Sequence, residues 1–222
     1  MGKKINVKII IAAFVISTIL FSAGLFVGYS VNKERLGDIE RRLVDIKSGI
    51  ENFQLQFLFL DALGDKAACP LLSNTLKRIN NESYEIGTKL TFFSSSSEVA
   101  DYTQYNDLKK EYSRILIGYW LLANKLNNAC NLGANTIIYF YRKDCRLCDN
   151  QAFILTYLKN KYQEKVLIFA LDADLDEPSI ETLKKFYEVV EYPTLIANSK
   201  VYGGFQETRK IEEIMNMSNY ST

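Results

Sequence analysis

Apolar and polar positions follow different rhythms along this chain, and each rhythm predicts a different element. From Ile9 to Val31 there is no alternation at all: 23 residues pass without a charge. At about 1.5 Å rise per residue that length crosses a hydrocarbon core of about 30 Å, and it exceeds the roughly 7 to 15 apolar residues of a cleaved signal sequence. The stretch is therefore expected to be a retained membrane span. Beyond it, Leu36, Ile39, Leu43, Ile46, Ile50, Phe53, Phe57 and Leu60 recur at steps of three and four, the stripe of an amphipathic helix. A second stripe, Leu72, Leu76, Ile79, Ile86 and Leu90, is expected to open at Pro70 and to break at Ser94-Ser95-Ser96-Ser97. The third, from about Val99 to Asn128, carries Leu108, Tyr112, Ile115, Tyr119, Leu122 and Leu126. Three helices so striped predict a bundle. A coiled-coil dimer through the first is disfavoured, because it would set Arg42 beside Lys47 of a parallel partner.

From about Asn135 the rhythm shortens. Strands are expected over Thr136 to Tyr141 and Lys165 to Leu171, helices over Cys145 to Tyr162 and Pro178 to Val189, a hairpin through Pro193 to Ala197 and Lys200 to Tyr202, and a last helix from about Glu207. The order is β-α-β-α-β-β-α, an α/β unit of roughly 85 residues that can bury one modest core. The expected organisation is a short basic tail over 1–8, the span over 9–31, a helical bundle over 36–130, an α/β domain over 135–217 and a tail over 218–222.

Composition narrows the chemistry. Net charge is +1, which gives no signal for nucleic acid. Histidine is absent, which removes every imidazole base, Ser-His or Cys-His pair and imidazole metal ligand. Asp172, Asp174, Asp176 and Glu177 read as a solvated loop and helix start rather than a calcium loop. Four cysteines with only one short-spaced pair do not suit a zinc site, so no metal and no cofactor is expected. Lys3, Lys4 and Lys8 before the span face Lys33, Arg35, Arg41 and Arg42 after it; the short, purely basic tail favours a cytoplasmic N-terminus and an extracytoplasmic C-terminal domain.

The second and third helices should lie antiparallel, which brings Cys69 and Cys130 to one end of their hairpin. A structural disulfide is the first reading, since it closes a loop of roughly 60 residues, worth about 4 kcal/mol, in an exported chain. Two free buried thiols are the alternative. A relay with the other pair is a third.

That other pair is Cys145-Arg146-Leu147-Cys148, placed where a strand gives way to a helix. Thiols one helical turn apart can close a disulfide, and the one at the helix start feels the free amides of the first turn, as well as Arg146, both favouring a thiolate, while Asp144 and Asp149 oppose it. With the strand order and Tyr192-Pro193-Thr194 44 residues further on, this stretch resembles the thioredoxin-like family over about 40% of the chain. The resemblance implies that Cys145 attacks, that Cys148 is the buried resolving thiol, and that the Tyr192–Pro193 bond is cis and faces them, with Tyr192, Pro193 and Thr194 holding an extended partner strand. It also exposes two departures: Tyr139 stands where thioredoxins carry a buried acid, and Ala170 where they often carry a lysine. The expected function is thiol–disulfide exchange with protein thiols or disulfides at the membrane surface, through a partner redox protein or directly, with lipid contacts confined to 9–31. The alternative is a tethered, non-catalytic protein-interaction module of the same fold.

Overall fold

The computed structural model describes residues 7–63, 65–95 and 102–217. Lys3, Lys4, Ser96, Ser97, Val99 and the tail 218–222 lie outside them, as do the side chains of Arg35, Leu36, Phe53, Phe57 and Leu60. Helix α1 spans Val7–Leu63, α2 Asp65–Ser95 and α3 Tyr102–Cys130. Then come β1 (Asn135–Tyr141), α4 (Arg146–Tyr162), β2 (Val166–Asp172), α5 (Pro178–Phe186), β3 (Thr194–Ala197), β4 (Lys200–Gly203) and α6 (Thr208–Ile214).

The apolar segment and the first amphipathic stripe form one unbroken helix rather than two. Nothing between Val31 and Gly37 interrupts helical hydrogen bonding, since Asn32, Lys33, Glu34 and Arg35 all accept helical geometry. Its Ile10–Val31 portion, 22 residues long, has none of its surface covered by the rest of the chain. Such a helix is long and apolar enough for either a membrane anchor or a signal sequence. Helix α2 starts at Asp65, so Pro70 and Cys69 sit just beyond its first turn. The amides of the first four residues have no intrahelical partner, and Asp-Lys-Ala-Ala are adequate helix formers, so Pro70 costs about one hydrogen bond.

Charged pairs fix the bundle's register. Asp38 meets Lys89 at 2.8 Å and Arg42 meets Glu85 at 3.2 Å, so α1 and α2 run antiparallel. Tyr105 Oη donates to the Leu90 carbonyl (3.2 Å) and Tyr112 Oη to that of Ser83 (2.9 Å), which sets α3 antiparallel to α2. Gly87 is required there, since a Cβ would collide with the Tyr112 hydroxyl. At the far end Cys69 and Cys130 are bonded, their Cα atoms 5.7 Å apart.

The sheet has order β2-β1-β3-β4, with β1 parallel to β2 and antiparallel to β3. Alternation along β1 sends Ile137 and Tyr139 to one face and Ile138 and Phe140 to the other. The first face packs Leu155 and Leu158 of α4 and Ile211 of α6. The second packs against α5 and α3, and its Ile138, Phe140, Leu167 and Phe169 belong to the same continuous core as Ile39, Leu43 and Ile46 of α1. Tyr119 of α3 meets the Phe169 ring edge-on at 5.0 Å. Bundle and sheet thus share one hydrophobic interior.

Two ion pairs cross the same junction, and they correct the reading of the acidic run as solvated. Lys109 of α3 binds Asp172, which is 7% exposed, and Arg114 binds Glu177, which is 3% exposed, at 2.9 Å. Burial pushes Glu177 up, but hydrogen bonds from Arg114 and Ser179 outweigh it and hold the carboxyl below its usual range. Asp174 binds Arg142 at 2.6 Å and fits the solvated description better.

Candidate functional site

The site sits where β1 ends. Arg142, Lys143 and Asp144 turn the chain, Asp144 at φ 57°, a left-handed conformation that aspartate tolerates. Cys145 is the N-cap of α4, which begins at Arg146, one residue later than the sequence pattern suggests. Its extended backbone (φ −111°, ψ 96°) lets its carbonyl accept the amides of Cys148 (2.9 Å) and Asp149 (3.1 Å). Its sulfur accepts the Cys148 amide at 3.2 Å, so sulfur fills the capping role that serine or aspartate oxygen usually takes. The amphipathic spacing Cys148, Gln151, Leu155, Leu158, Tyr162 holds α4 on the sheet and buries Cys148 to 2% exposure, while Cys145 stays half-buried. The two sulfurs are bonded, with Cα atoms 5.2 Å apart.

Opposite them, the Tyr192–Pro193 peptide bond is cis, and the Tyr192 carbonyl lies 4.0 Å from the Cys145 sulfur. The Tyr192 ring is capped by the Arg142 guanidinium at 5.5 Å. Thr194 is turned inward, 1% exposed, and its hydroxyl donates to the Glu191 carbonyl at 2.6 Å. Its side chain is therefore not presented at the surface. Arg146 and Leu147 are exposed beside the disulfide.

Residues 130–203, about a third of the chain, match the family model described as "TraF: F plasmid transfer operon protein". The C-terminal part is thioredoxin-like. Similar solved structures include thioredoxin-2, a component of malaria parasite protein secretion machinery, at 20% identity over 37% of this chain and 82% of that one, with a TM-score of 0.33. Chloroplastic thioredoxin z is 19% identical over 45% and 89%, TM-score 0.35. A thioredoxin-like protein from Clostridium perfringens is 27% identical over 38% and 70%, TM-score 0.34. No curated relative matches the chain.

Within the thioredoxin-like head, the departures have a visible structure. Tyr139 and Ala170 are register partners on β1 and β2. The Tyr139 hydroxyl, where the family places an acid, donates to the Cys148 carbonyl at 2.7 Å. Burial is the main cause that pushes Tyr139 well above the ordinary phenol range, with Asp149 adding to it. It is a fixed neutral donor, not a base. Gln151, fully buried, is a residue that periodicity shows only as a polar interruption of a core stripe. Its amide donates to the Gln206 carbonyl (3.2 Å) and accepts the Gln206 amide (2.7 Å), which ties α4 to the Gly203–Gly204 turn. Gly204 needs its left-handed φ of 73° to make that turn.

The second disulfide cannot relay with the first inside one molecule. Cys130 closes α3 just before β1 begins and Cys145 follows its end, so the seven strand residues, about 23 Å at 3.3 Å each, separate them. Among the described residues no cluster of three or more Cys, Asp or Glu could hold a metal.

Proposed function

We propose that this chain is a membrane-anchored thiol–disulfide oxidoreductase whose Cys145 and Cys148 exchange disulfides with protein partners on the extracytoplasmic side. The observation that carries the reading is the N-cap placement of Cys145: half-exposed, in contact with a first-turn amide, and paired with a buried thiol one turn on. A disulfide kept only for stability does not require a sulfur aimed at a first-turn helix amide. In the reduced chain that amide and Arg146 stabilise the Cys145 thiolate.

The thiolate attacks one sulfur of a partner disulfide; that S–S bond breaks, the partner's second sulfur leaves as a thiolate, and a mixed disulfide forms. Cys148 then attacks the Cys145 sulfur, closing the Cys145–Cys148 bond and releasing the other partner thiolate. Two electrons pass from dithiol to partner; the reverse sequence oxidises a partner. Because Tyr139 is a neutral donor, the Cys148 proton leaves to water rather than to a buried carboxylate. Tyr192 and Pro193, with the Thr194 backbone, border the attacking sulfur and supply the edge along which an extended partner segment lies. Cys69–Cys130 is a structural staple, and residues 9–31 are the anchor.

The Tyr139 hydrogen bond favours one second reading, a non-catalytic docking module, because it fills the place of the family's proton-transfer group. Reduction of a short, unfolded disulfide-bonded peptide by the full chain in lipid nanodiscs separates the two. Wild type should turn over and Cys145→Ser should not; equal rates would leave only the module.

A further inference from the structure

The register of the bundle fixes which end of the head looks toward the anchor. Helix α1 leaves the apolar segment at Val31 and rises into the bundle without a break. The Asp38–Lys89 pair and the Tyr105–Leu90 hydrogen bond place the start of α3 at the height of Asp38; Arg42–Glu85 and Tyr112–Ser83 place Tyr112 just above Arg42. Lys109, between those levels, grips Asp172 at the C-terminal end of β2 and lies over the ring of Tyr141, the last residue of β1. The N-terminal ends of the same strands sit higher. Thr136 donates to Asn124, well up α3, at 2.8 Å. Glu164, just before β2, meets Lys77, and Lys159 near the end of α4 meets Asn80, both at the height of Gly49, which abuts Arg78. The strands therefore run obliquely back along the bundle, and their C-terminal ends, with the Cys145–Cys148 pair and the Tyr192–Pro193 loop, form the edge of the head nearest Val31.

From Val31 to the levels of Asp38 and Arg42 is about 10 to 17 Å of helix. That clearance admits an extended segment about 10 Å thick but not a folded domain, since one of 100 residues has a radius of gyration of about 13 Å. We infer that the dithiol faces the bilayer, and that its preferred partners are cysteines in the extended segment just outside the span of another membrane protein. The inference rests on the oxidoreductase and anchor readings above and specifies their substrate class.

The full chain in nanodiscs tests it in two ways. In Cys148→Ala, a thiol fluorophore on Cys145 should transfer energy to headgroup-labelled acceptor lipids. A fluorophore on Asn160→Cys, in a Cys145→Ser/Cys148→Ala background, reports the opposite end of α4, about 22 Å away along the helix. Transfer from position 145 should be about threefold faster or more on that spacing; equal or reversed transfer overturns the geometry, whatever the redox behaviour. Second, reduced wild type is mixed in the same membrane with a single-span peptide bearing a disulfide loop about 5 residues beyond its span, or about 25. The near loop should be reduced about tenfold faster or more, as effective concentration requires, and an equal or faster far loop overturns the inference. Glutathione disulfide serves as a soluble arm: if it is not reduced, the oxidoreductase reading fails while the fluorescence arm still judges orientation, and if the chain does not remain with the lipid, the anchor reading falls and this inference with it.

Discussion

Breaking the Lys109–Asp172 pair should cost far more than its place in an acidic, loop-like run suggests. The Asp172 side chain exposes 9% of its surface and that of Lys109 19%, so the pair is largely out of water. Truncation to Lys109→Ala leaves a buried carboxylate whose remaining partner among the described residues is the Asp174 amide at 2.9 Å. Breaking a buried pair typically costs 3–5 kcal/mol; the partial exposure of the lysine and that remaining amide put this case near the lower end, about 3 kcal/mol. Although burial pulls the Lys109 amine down, Tyr141 and Asp172 together hold its pKa above the ordinary lysine value. The stabilisation is then fully present below the unfolded lysine's pKa and fades only as pH rises through the higher folded value. The assay is urea unfolding of the full chain in detergent micelles, followed by fluorescence of the single tryptophan, Trp120 on α3. Adding Asp172→Asn to Lys109→Ala removes the orphaned charge and should recover about 1–3 kcal/mol as coupling in the double-mutant cycle. A single-variant cost below about 1 kcal/mol, or strict additivity, would refute the claim that this pair holds head to bundle.

Four further outcomes are expected. Cys69→Ser/Cys130→Ser should lose about 4 kcal/mol in the same unfolding assay, from a loop of 61 residues, with little change in exchange with a small disulfide. Lys159, whose pKa burial lowers to about 8, makes the unfolded chain the better proton binder between about 8 and 10.5; stability should rise with pH across that window, and Lys159→Met should flatten the rise. Tyr139→Asp, which restores an acid beneath Cys148, should speed resolution of a mixed disulfide in stopped-flow mixing while costing stability of about 1–3 kcal/mol; an unchanged resolution rate would show that proton removal from Cys148 does not limit it. Gln151→Leu should cost about 1–3 kcal/mol by leaving the Gln206 amide unpartnered, visible as faster hydrogen exchange at Gly204 to Gln206.

What could be read along the chain was what local periodicity encodes. Leu108, Ile115, Tyr119, Leu122 and Leu126 announced α3 because their spacing alone places them on one stripe, and all five are buried. The order of strands and helices in the head was legible for the same reason. The fate of charged residues was not. Asp172 and Glu177 look solvated in sequence because their partners, Lys109 and Arg114, stand 63 residues away on another element. The junction of α3 with the sheet is not legible either, since one stripe cannot reveal that it packs on both the bundle and the sheet within one core. In the site, a C-x-x-C at a strand–helix junction is visible in four letters, whereas the Tyr139–Cys148 and Gln151–Gln206 hydrogen bonds depend on side chains brought together only by folding. Pro70 misled because a proline suits a helix's first position, yet a second turn tolerates it when the residues before it are already helical.

The central claim is that Cys145 attacks and Cys148 resolves. Reduced full-length chain in nanodiscs, mixed with a disulfide-bonded peptide and quenched at intervals, answers it by intact mass. Cys148→Ala should accumulate about one equivalent of peptide joined to Cys145, and Cys145→Ala should accumulate almost none, as a buried thiol is a poor nucleophile. Equal capture by the two variants, or capture by neither, would contradict the account.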